Sequence, residues 1–308
     1  GLLPDLYQPC RVRIRVLACM YSVFGSNVNL SVPSAQGEKH SMRFSIIVVC
    51  LNPGDKLNRT LDSVLSQTFS DYEIVVKDGG SRDGSVESMR LDARIRFYKE
   101  QDGGIYEAMN QAVSHVKGDF VLFLNCGDLF PDDRVLERTS SRIERESENG
   151  TDLSKLVLYG DTLGEKNGVV IASPPEINGF TCYRNIPCHQ TCFYSRQLCL
   201  DKPYNPAFRI RADYDHFLWC YYRAGAKFVN MDFAAASYEG GGYSESRENR
   251  KRDRREHGQI TSVYMGKGEL FKYKAVMAVT LAPLRRAMAE SRVFSKMYHG
   301  LKSLVYGK

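Results

Sequence analysis

The sequence contains no run of apolar residues that approaches the length of about 18 needed for a membrane-spanning helix. Its nine cysteines include no Cys-x-x-Cys pair, and several fall inside apolar runs, which is typical of reduced core thiols in a cytosolic protein. Cys182, Cys188, His189 and Cys192 lie close in the chain, but their spacing matches no ordinary zinc finger. No internal repeat is present. The 308 residues, 43% hydrophobic and 25% charged, are typical of a globular protein with a large core.

The net positive charge of the chain comes from its C-terminal segment, residues 270–308. The net charge of the chain is +6, yet residues 270–308 alone contain eight Lys or Arg residues and a single acidic residue, Glu290. The remainder of the chain is therefore close to neutral. This distribution argues against a nucleic-acid-binding body and favours a basic appendage.

The most informative stretch runs from residue 119 to residue 128. Its five consecutive apolar residues, Phe120 to Leu124, predict a short strand that is buried on both faces. The strand ends at a polar turn, and ligands bind at this edge of an open α/β sheet. Within the turn, Asp128 and Asn125 offer hard oxygen ligands suited to a divalent cation that faces a diphosphate. The alternative is that Asp128 only caps the next helix.

Strands and helices alternate regularly after Arg43. Strands are predicted at 44–50, 72–76 and 94–99 ahead of the strand that begins at Phe120, with helices between them, one of which runs through Met89. This alternation predicts an α/β fold with a parallel sheet and right-handed crossovers. Polar residues follow the strand ends at one edge of that sheet: Asp78, Asp102, Asn125 and Asp128. We therefore predict the binding site at this edge.

The second half of the chain is less regular. Strands are predicted at 156–159, 169–172, 189–194 and 227–233, with a loop at 174–187 and a helix that begins at Ala212. Asp161 and the segment 241–244 either shape an acceptor pocket or are plain turns.

Six short motifs occur in one order along the chain: Ser45-Ile-Ile-Val-Val-Cys-Leu-Asn52, Val75-Val-Lys-Asp-Gly-Gly-Ser-Arg-Asp-Gly84, Gly104-Ile-Tyr-Glu-Ala-Met-Asn110, Phe123-Leu-Asn-Cys-Gly-Asp128, His189-Gln190 and Ala212-Asp-Tyr-Asp215. Together they resemble the family-two glycosyltransferases, most closely the branch that builds bacterial exopolysaccharides such as colanic acid. The resemblance implies the GT-A fold, which is a Rossmann-like nucleotide-binding mixed sheet flanked by helices. It also implies a UDP- or GDP-sugar donor, an inverting reaction, and Mg²⁺ or Mn²⁺ as cofactor.

The resemblance assigns nucleotide-binding roles to several residues. Asp78 would accept a hydrogen bond from the ring N–H of uracil or guanine. The turn that contains Cys50 and Asn52 would cradle the base and ribose, and Asp102 lies at the same edge. Leu51 departs from the family pattern, because an aromatic residue is usual at that position.

The resemblance also assigns the reacting groups. Asn125 stands where the usual Asp-x-Asp motif has its first carboxylate, so Asp128 is the expected metal ligand and Asn125 a contact to ribose or phosphate. Asp213 matches the catalytic base that deprotonates the acceptor hydroxyl, although Ala212 replaces the usual Glu before it. His189 would help to bind the diphosphate or the metal. The alternative for His189 is a hydrogen-bonded histidine at a strand start.

The two ends of the chain differ from the middle. Residues 1–42 are predicted to be a disordered leader: a basic start and a short apolar run suggest a signal peptide, but Asp5 precedes them and no strong cleavage site follows. Met42 is then the expected biological start. Residues 43–246 are the expected glycosyltransferase domain, and residues 247–308 are expected to form a charged and then basic, amphipathic helical tail.

The tail predicts a membrane-surface contact. Apolar residues fall close to one helical stripe, with basic residues beside it: Leu284, Ala287, Met288, Val293, Phe294 and Met297. Such a helix suits the anionic inner face of the cell membrane, where a polyprenyl-diphosphate-linked acceptor would be found. The alternative is that the stripe packs on the body of the protein.

The resemblance implies an enzyme that glycosylates a glycan or a lipid-linked oligosaccharide in surface polysaccharide synthesis. Two other classes of protein are alternatives to this interpretation. One is a non-catalytic nucleotide-sugar-binding or scaffolding module, which Asn125 favours and the pair of Asp128 and Asp213 disfavours. The other is a sugar nucleotidyltransferase, which needs a glycine-rich basic loop after the first strand. The loop 51–57 has a single glycine and an acidic residue, which disfavours that class.

Overall fold

In the part of the chain that the structure describes, a mixed sheet of eight strands organises the fold. The computed structural model describes residues 42–165, 168–238 and 247–280. Its strands are β1 (Phe44–Cys50), β2 (Tyr72–Asp78), β3 (Ile95–Lys99), β4 (Phe120–Phe123), β5 (Leu156–Gly164), β6 (Val170–Ile171), β7 (Cys192–Ser195) and β8 (Lys227–Tyr238). Their order is β3-β2-β1-β4-β7-β5-β6, and β8 pairs with β5.

The sheet has a parallel half and a mixed half. Strands β3, β2, β1 and β4 pair with one another in parallel, as the alternation of strands and helices predicts. Strand β7 then runs antiparallel to both β4 and β5. The predicted α/β fold with a mixed sheet is confirmed. The antiparallel pairing matters for function because it brings the residues just before β7 beside the turn that follows β4.

Helices cover both faces of the sheet. They are α1 (Lys56–Leu65), α2 (Ile105–Val113), α3 (Val135–Glu148), α4 (Gly179–Arg184), α5 (Arg196–Asp201), α6 (Ala212–Tyr222), α7 (Arg247–Tyr264) and α8 (Lys267–Val279). Strand β1 is buried along its whole length, and its side chains alternate between two cores. Ile46 and Val48 pack with α1 and α3, whereas Ile47 and Val49 pack with α2 and α6.

One predicted helix is replaced by turns. The structure has turns and bends over residues 83–88, where a helix through Met89 was expected. Asp83 accepts hydrogen bonds from the backbone N–H and the hydroxyl of Ser85, and Gly84 has a φ of 80°. Local hydrogen bonds between side chain and backbone compete with the hydrogen bonds of a helix. The periodicity of apolar residues in the sequence gives no information about them.

The segment before β7 also differs from its prediction. The strand expected from His189 begins only at Cys192, because residues His189–Thr191 form a 3₁₀ turn. The loop predicted at 174–187 contains the short helix α4, whose first turn is closed by reciprocal hydrogen bonds between Asn178 and Thr181. The 3₁₀ turn points two consecutive polar side chains, His189 and Gln190, towards the end of β4.

The last two described helices pack on the body of the protein. Ile260 of α7 is fully buried, and Leu270 and Tyr273 of α8 pack against the same core as α6. Among the helices that the structure describes, none is both long and apolar enough to cross a membrane. The predicted leader before Met42, the boundary at residue 246 and the apolar stripe at 284–297 lie outside the described residues.

Candidate functional site

The carboxyl ends of β1, β2 and β4 place the predicted site residues at one edge of the sheet. Parallel pairing sets Cys50 opposite Asp78 and Ile47 opposite Phe123, so the turns that follow these strands lie side by side. The turn after β4 contains Asn125 and Asp128. Contributions from β7 and α6 complete this edge.

A chain of hydrogen bonds joins Asn125 to Asp213. The Nδ2 atom of Asn125 lies 3.0 Å from Nε2 of His189, and Nδ1 of His189 lies 3.3 Å from Oδ2 of Asp213. An amide nitrogen can only donate, so Nε2 accepts and the imidazole proton lies on Nδ1, facing the carboxylate. One histidine therefore connects the expected metal-binding turn to the expected base.

Asp213 has two further donors. The hydroxyl of Tyr106 lies 3.0 Å from Oδ1, and the backbone N–H of Tyr214 donates to the same atom at 2.9 Å. Burial by itself raises the pKa of Asp213, but the interactions with His189 and the hydrogen bonds from Tyr106 and from the backbone of Tyr214 together outweigh burial, and the pKa lies below the ordinary value. The carboxylate is thus held charged, which a general base requires.

The hydroxyl of Tyr106 has two acceptors for one proton. It lies 2.6 Å from the carbonyl oxygen of Ile210 as well as 3.0 Å from Asp213. Burial raises the pKa of Tyr106 well above the ordinary value, so this hydroxyl stays protonated. It can turn from one acceptor to the other without losing its proton.

The donors around Asp213 predict a pH effect. Because hydrogen bonds from His189 and Tyr106 lower the pKa of Asp213, we expect His189→Ala and Tyr106→Phe each to raise it. The acid limb of a kcat–pH profile should therefore lie at a higher pH in both variants than in the wild type. An acid limb that stays in place in both variants would contradict the assignment of Asp213 as the titrating base.

Asp128 is oriented by Gln190 from the 3₁₀ turn. The Nε2 atom of Gln190 donates to Oδ2 of Asp128 at 2.9 Å, and its Oε1 atom accepts from the thiol of Cys188 at 2.7 Å. Thr60 fixes the turn itself, because its hydroxyl donates to the carbonyl of Asp128 and accepts from the N–H of Gly127. The sequence predicted roles for His189 and Asp128 but missed Gln190 and Thr60. The His-Gln pair was the available signal for Gln190.

The turn after β4 fits a divalent cation. The Oδ1 atom of Asn125 is buried and has no hydrogen-bond donor among the described residues, and Asp128 supplies a carboxylate in the same turn. These are the oxygen ligands that Mg²⁺ and Mn²⁺ prefer. Within the described residues no group of three or more His, Cys, Asp or Glu side chains could hold a metal, so further ligands would come from a diphosphate and water.

The predicted base-reading residue lies deeper than the sequence suggested. Asp78 is 0% exposed, and both of its carboxylate oxygens accept the backbone N–H of Ser81 at 3.0 Å. The hydroxyl of Ser81 accepts in turn from the N–H of Asn52, and the side chain of Asn52 accepts from the N–H of Arg82. Asp78 and Asn52 therefore fasten together the two loops that line this end of the edge. Burial raises the pKa of Cys50 to about 12, so its thiol stays neutral.

Asp102 is held by a buried lysine. Lys77 is fully buried and forms an ion pair with Asp102, which also accepts the N–H of Gly104 at 3.1 Å. Gly79 makes this approach possible, because a Cβ atom there would lie 2.8 Å from Oδ2 of Asp102. The structure thus brings Asp102 to the same edge as Asp78, as predicted, and gives it a partner that the sequence did not indicate.

Comparisons with known proteins agree with this architecture. A model of the family "Glycosyl transferase family 2" matches residues 45–193. A PGL/p-HBAD biosynthesis glycosyltransferase of Mycobacterium bovis (strain BCG / Pasteur 1173P2) is 31% identical over 210 residues, which cover 66% of this chain and 79% of the relative.

Solved structures share the fold at lower identity. Residues 1–349 of Staphylococcus aureus TarS, in complex with UDP-GlcNAc, align with a TM-score of 0.58 and 21% identity over 82% of this chain and 74% of that chain. This chain spans 44% of the longer TarS chain. The mannosyltransferase PcManGT from Pyrobaculum calidifontis, in complex with GDP-Man and Mn²⁺, aligns with a TM-score of 0.56 and 14% identity over 87% and 86% of the two chains. The predicted GT-A fold is confirmed, whereas the colanic acid branch stays a prediction.

Proposed function

The chain belongs to glycosyl transferase family 2, and from this we propose that it transfers a sugar, with inversion, from a UDP- or GDP-sugar to a hydroxyl group of a glycan or a polyprenyl-diphosphate-linked oligosaccharide. The observation that carries the proposal is the hydrogen-bond chain from Asn125 through His189 to Asp213. Through this chain, the imidazole of His189 connects the charged carboxylate of Asp213 to the turn after β4, which fits a metal ion and a diphosphate.

Asp213 acts as the general base in this reaction. The acceptor hydroxyl is a poor nucleophile, and a carboxylate that removes its proton during attack accelerates the transfer. The Nδ1–H of His189 and the hydroxyl of Tyr106 hold the carboxylate in place and keep it charged. An inverting transfer requires the base on the opposite side of the sugar from the diphosphate, and the intervening His189 leaves space between the two groups.

Asp128 and Asn125 serve the leaving group. They would hold a Mg²⁺ or Mn²⁺ ion, which supplies Lewis-acid neutralisation of the departing diphosphate when it is bound. Gln190 orients the Asp128 carboxylate, and the fastened loops at Asn52 and Asp78 line the nucleotide end of the edge. Two structural neighbours support a nucleotide-sugar donor: one is in complex with UDP-GlcNAc, and the other is in complex with GDP-Man and Mn²⁺.

Ligand-dependent stability and turnover test the proposal together. UDP- and GDP-sugars, each with and without Mn²⁺, are added to the full chain, and the melting temperature and nucleotide release are measured. A true donor raises stability in proportion to its affinity and releases nucleotide when an acceptor is added. Binding without any release would instead identify a non-catalytic nucleotide-sugar-binding module, and no binding at all would contradict both.

The C-terminal tail is proposed to hold the enzyme on the inner face of the cell membrane, where a lipid-linked acceptor for surface polysaccharide would be presented. The outer side of α8 supports this placement, because Phe271 and Val279 are 76% and 82% exposed and Lys272 and Lys274 are exposed beside them. Each basic residue near anionic lipid contributes about 1 kcal/mol. The cytoplasmic, peripheral location is part of this proposal.

Liposome pelleting tests the membrane contact. The full chain is compared with a chain that ends at Thr280, which keeps α8 but lacks six of the eight basic residues of the tail. We expect the full chain to pellet with anionic vesicles at low salt, much less with neutral vesicles, and less at high salt. The truncated chain should pellet several-fold less. Equal pelleting of the two chains, or pelleting that salt does not affect, would contradict the role of the tail.

A further inference from the structure

The segment that leads into α6, residues 209–211, is held by a residue of α7. The N-cap residue Arg211 makes no side-chain capping bond. The carboxylate of Glu256 instead accepts three backbone N–H groups, from Arg209 at 3.1 Å and from Ile210 and Arg211 at 3.0 Å each. Glu256 is only 2% exposed. A buried carboxylate at a helix N-terminus is stabilised by these donors and by the helix dipole.

Neighbouring contacts attach α7 to the N-cap and to the first turn of α6. Asp253 accepts two hydrogen bonds from the guanidinium of Arg211, at 2.6 and 3.1 Å. The ring of His257 stacks on Tyr214 with a centroid distance of 5.3 Å. Asp253, Glu256 and His257 thus bring α7 against the residues on both sides of Asp213.

Ile210 connects Glu256 to the base. Its N–H donates to Glu256, and its carbonyl is the second acceptor for the hydroxyl of Tyr106. When Asp213 is charged, the Tyr106 hydroxyl donates to it. When Asp213 takes up a proton, that hydroxyl can turn to the Ile210 carbonyl, and its oxygen can then accept the new proton of Asp213. The position of the Ile210 peptide therefore decides whether Tyr106 has both acceptors within reach.

We propose that Glu256 is a positioning residue for sugar transfer, which fixes the Ile210 peptide so that Tyr106 can support Asp213 in both of its protonation states. In the step itself, the acceptor O–H bond breaks and its proton passes to Asp213. The acceptor oxygen forms a bond to the anomeric carbon, and the bond from that carbon to the diphosphate breaks. Tyr106 keeps its proton throughout. This role rests on the proposed function, and it makes α7 one of the elements that position the reacting groups.

Glu256→Gln tests the role. Glutamine keeps the shape but loses the charge and turns an N–H₂ group towards backbone donors. We expect kcat to fall about 100-fold, as for a small misplacement of a reacting group, with the KM for the nucleotide sugar within about threefold of the wild-type value. Hydrogen exchange at the amides of residues 209–213 should become faster. Glu256→Asp, which keeps the charge on a shorter side chain, should recover part of kcat and serves as the folded variant if Glu256→Gln does not fold.

A double-mutant cycle separates positioning from loss of stability. If Glu256 acts through Tyr106, Glu256→Gln combined with Tyr106→Phe should cost little more in kcat than the larger single effect, whereas independent effects multiply. The matched control is Glu269→Gln, since Glu269 on α8 accepts from the hydroxyls of Tyr222 and Tyr273. It should lower the melting temperature and leave kcat within about threefold.

The outcomes distinguish a failure of the role of Glu256 from a failure of the proposed function. A wild-type chain that turns over nucleotide sugar, with folded Glu256 variants that lose no more kcat than Glu269→Gln, overturns the role of Glu256 alone. Multiplicative effects of the Glu256 and Tyr106 changes also overturn it. A wild-type chain that turns over no nucleotide sugar with any acceptor overturns the proposed function and, with it, this role.

Discussion

Asp213→Asn is expected to lower kcat by at least about 100-fold, the usual contribution of a general base, while the Kd of the donor changes by less than about threefold. Asparagine has nearly the same shape as aspartate and can still accept from Tyr106 and from the N–H of Tyr214, so the first turn of α6 should persist. It cannot take up the proton of the acceptor. Steady-state kinetics together with calorimetric titration of the donor measure the two quantities separately.

The same helix offers a matched control for Asp213→Asn. Asp215 is buried in the same first turn of α6, but its carboxylate binds Lys202 at 2.6 Å and the hydroxyl of Tyr264 at 2.9 Å. We therefore expect Asp215→Asn to reduce stability without a comparable loss of kcat. If Asp213→Asn instead raises the Kd of the donor strongly and leaves kcat high, then Asp213 is a ligand contact and another group is the base.

Asp128→Ala is expected to remove metal-dependent donor binding and to reduce turnover below detection. Asp128 is the carboxylate that the turn after β4 offers to a cation, and Asn125 alone carries no charge to hold one. Titration of the donor with and without Mn²⁺ should show a metal effect in the wild type and none in the variant. The exposed Asp132, a few residues further on, pairs with Arg138, and Asp132→Ala should leave the metal effect intact. Wild-type turnover that is unchanged in a chelator would refute the assignment.

The edge of the sheet could be predicted because its signals are local. An apolar run such as Phe120–Leu124, followed by a polar turn, marks both a buried strand and its functional end. The register of parallel strands then brings Asp78, Asn125 and Asp128 together without further information. The burial of Asp78 was not predictable in this way, because it depends on how Ser81 folds back onto the carboxylate.

The support of the reacting groups depends on contacts between distant parts of the chain. Tyr106 and Asp213 are 107 residues apart, Gln190 and Asp128 are 62 apart, and Glu256 and Ile210 are 46 apart. Each pair meets only after β7 has inserted beside β4 and the last helices have packed on α6. The periodicity and turn signals of a single stretch of sequence do not predict such long-range contacts.

With the roles proposed for Asn125 and Asp213, the imidazole between them would make the binding of the two substrates thermodynamically linked. A donor that engages the amide of Asn125 alters what Nε2 of His189 can accept, and this changes the hydrogen bond that Nδ1 gives to the carboxylate awaiting the second substrate. Donor binding should therefore alter the affinity for the acceptor. Reciprocity then requires that the acceptor alter the affinity for the donor by the same factor, so a single ring can link the affinities of the two substrates.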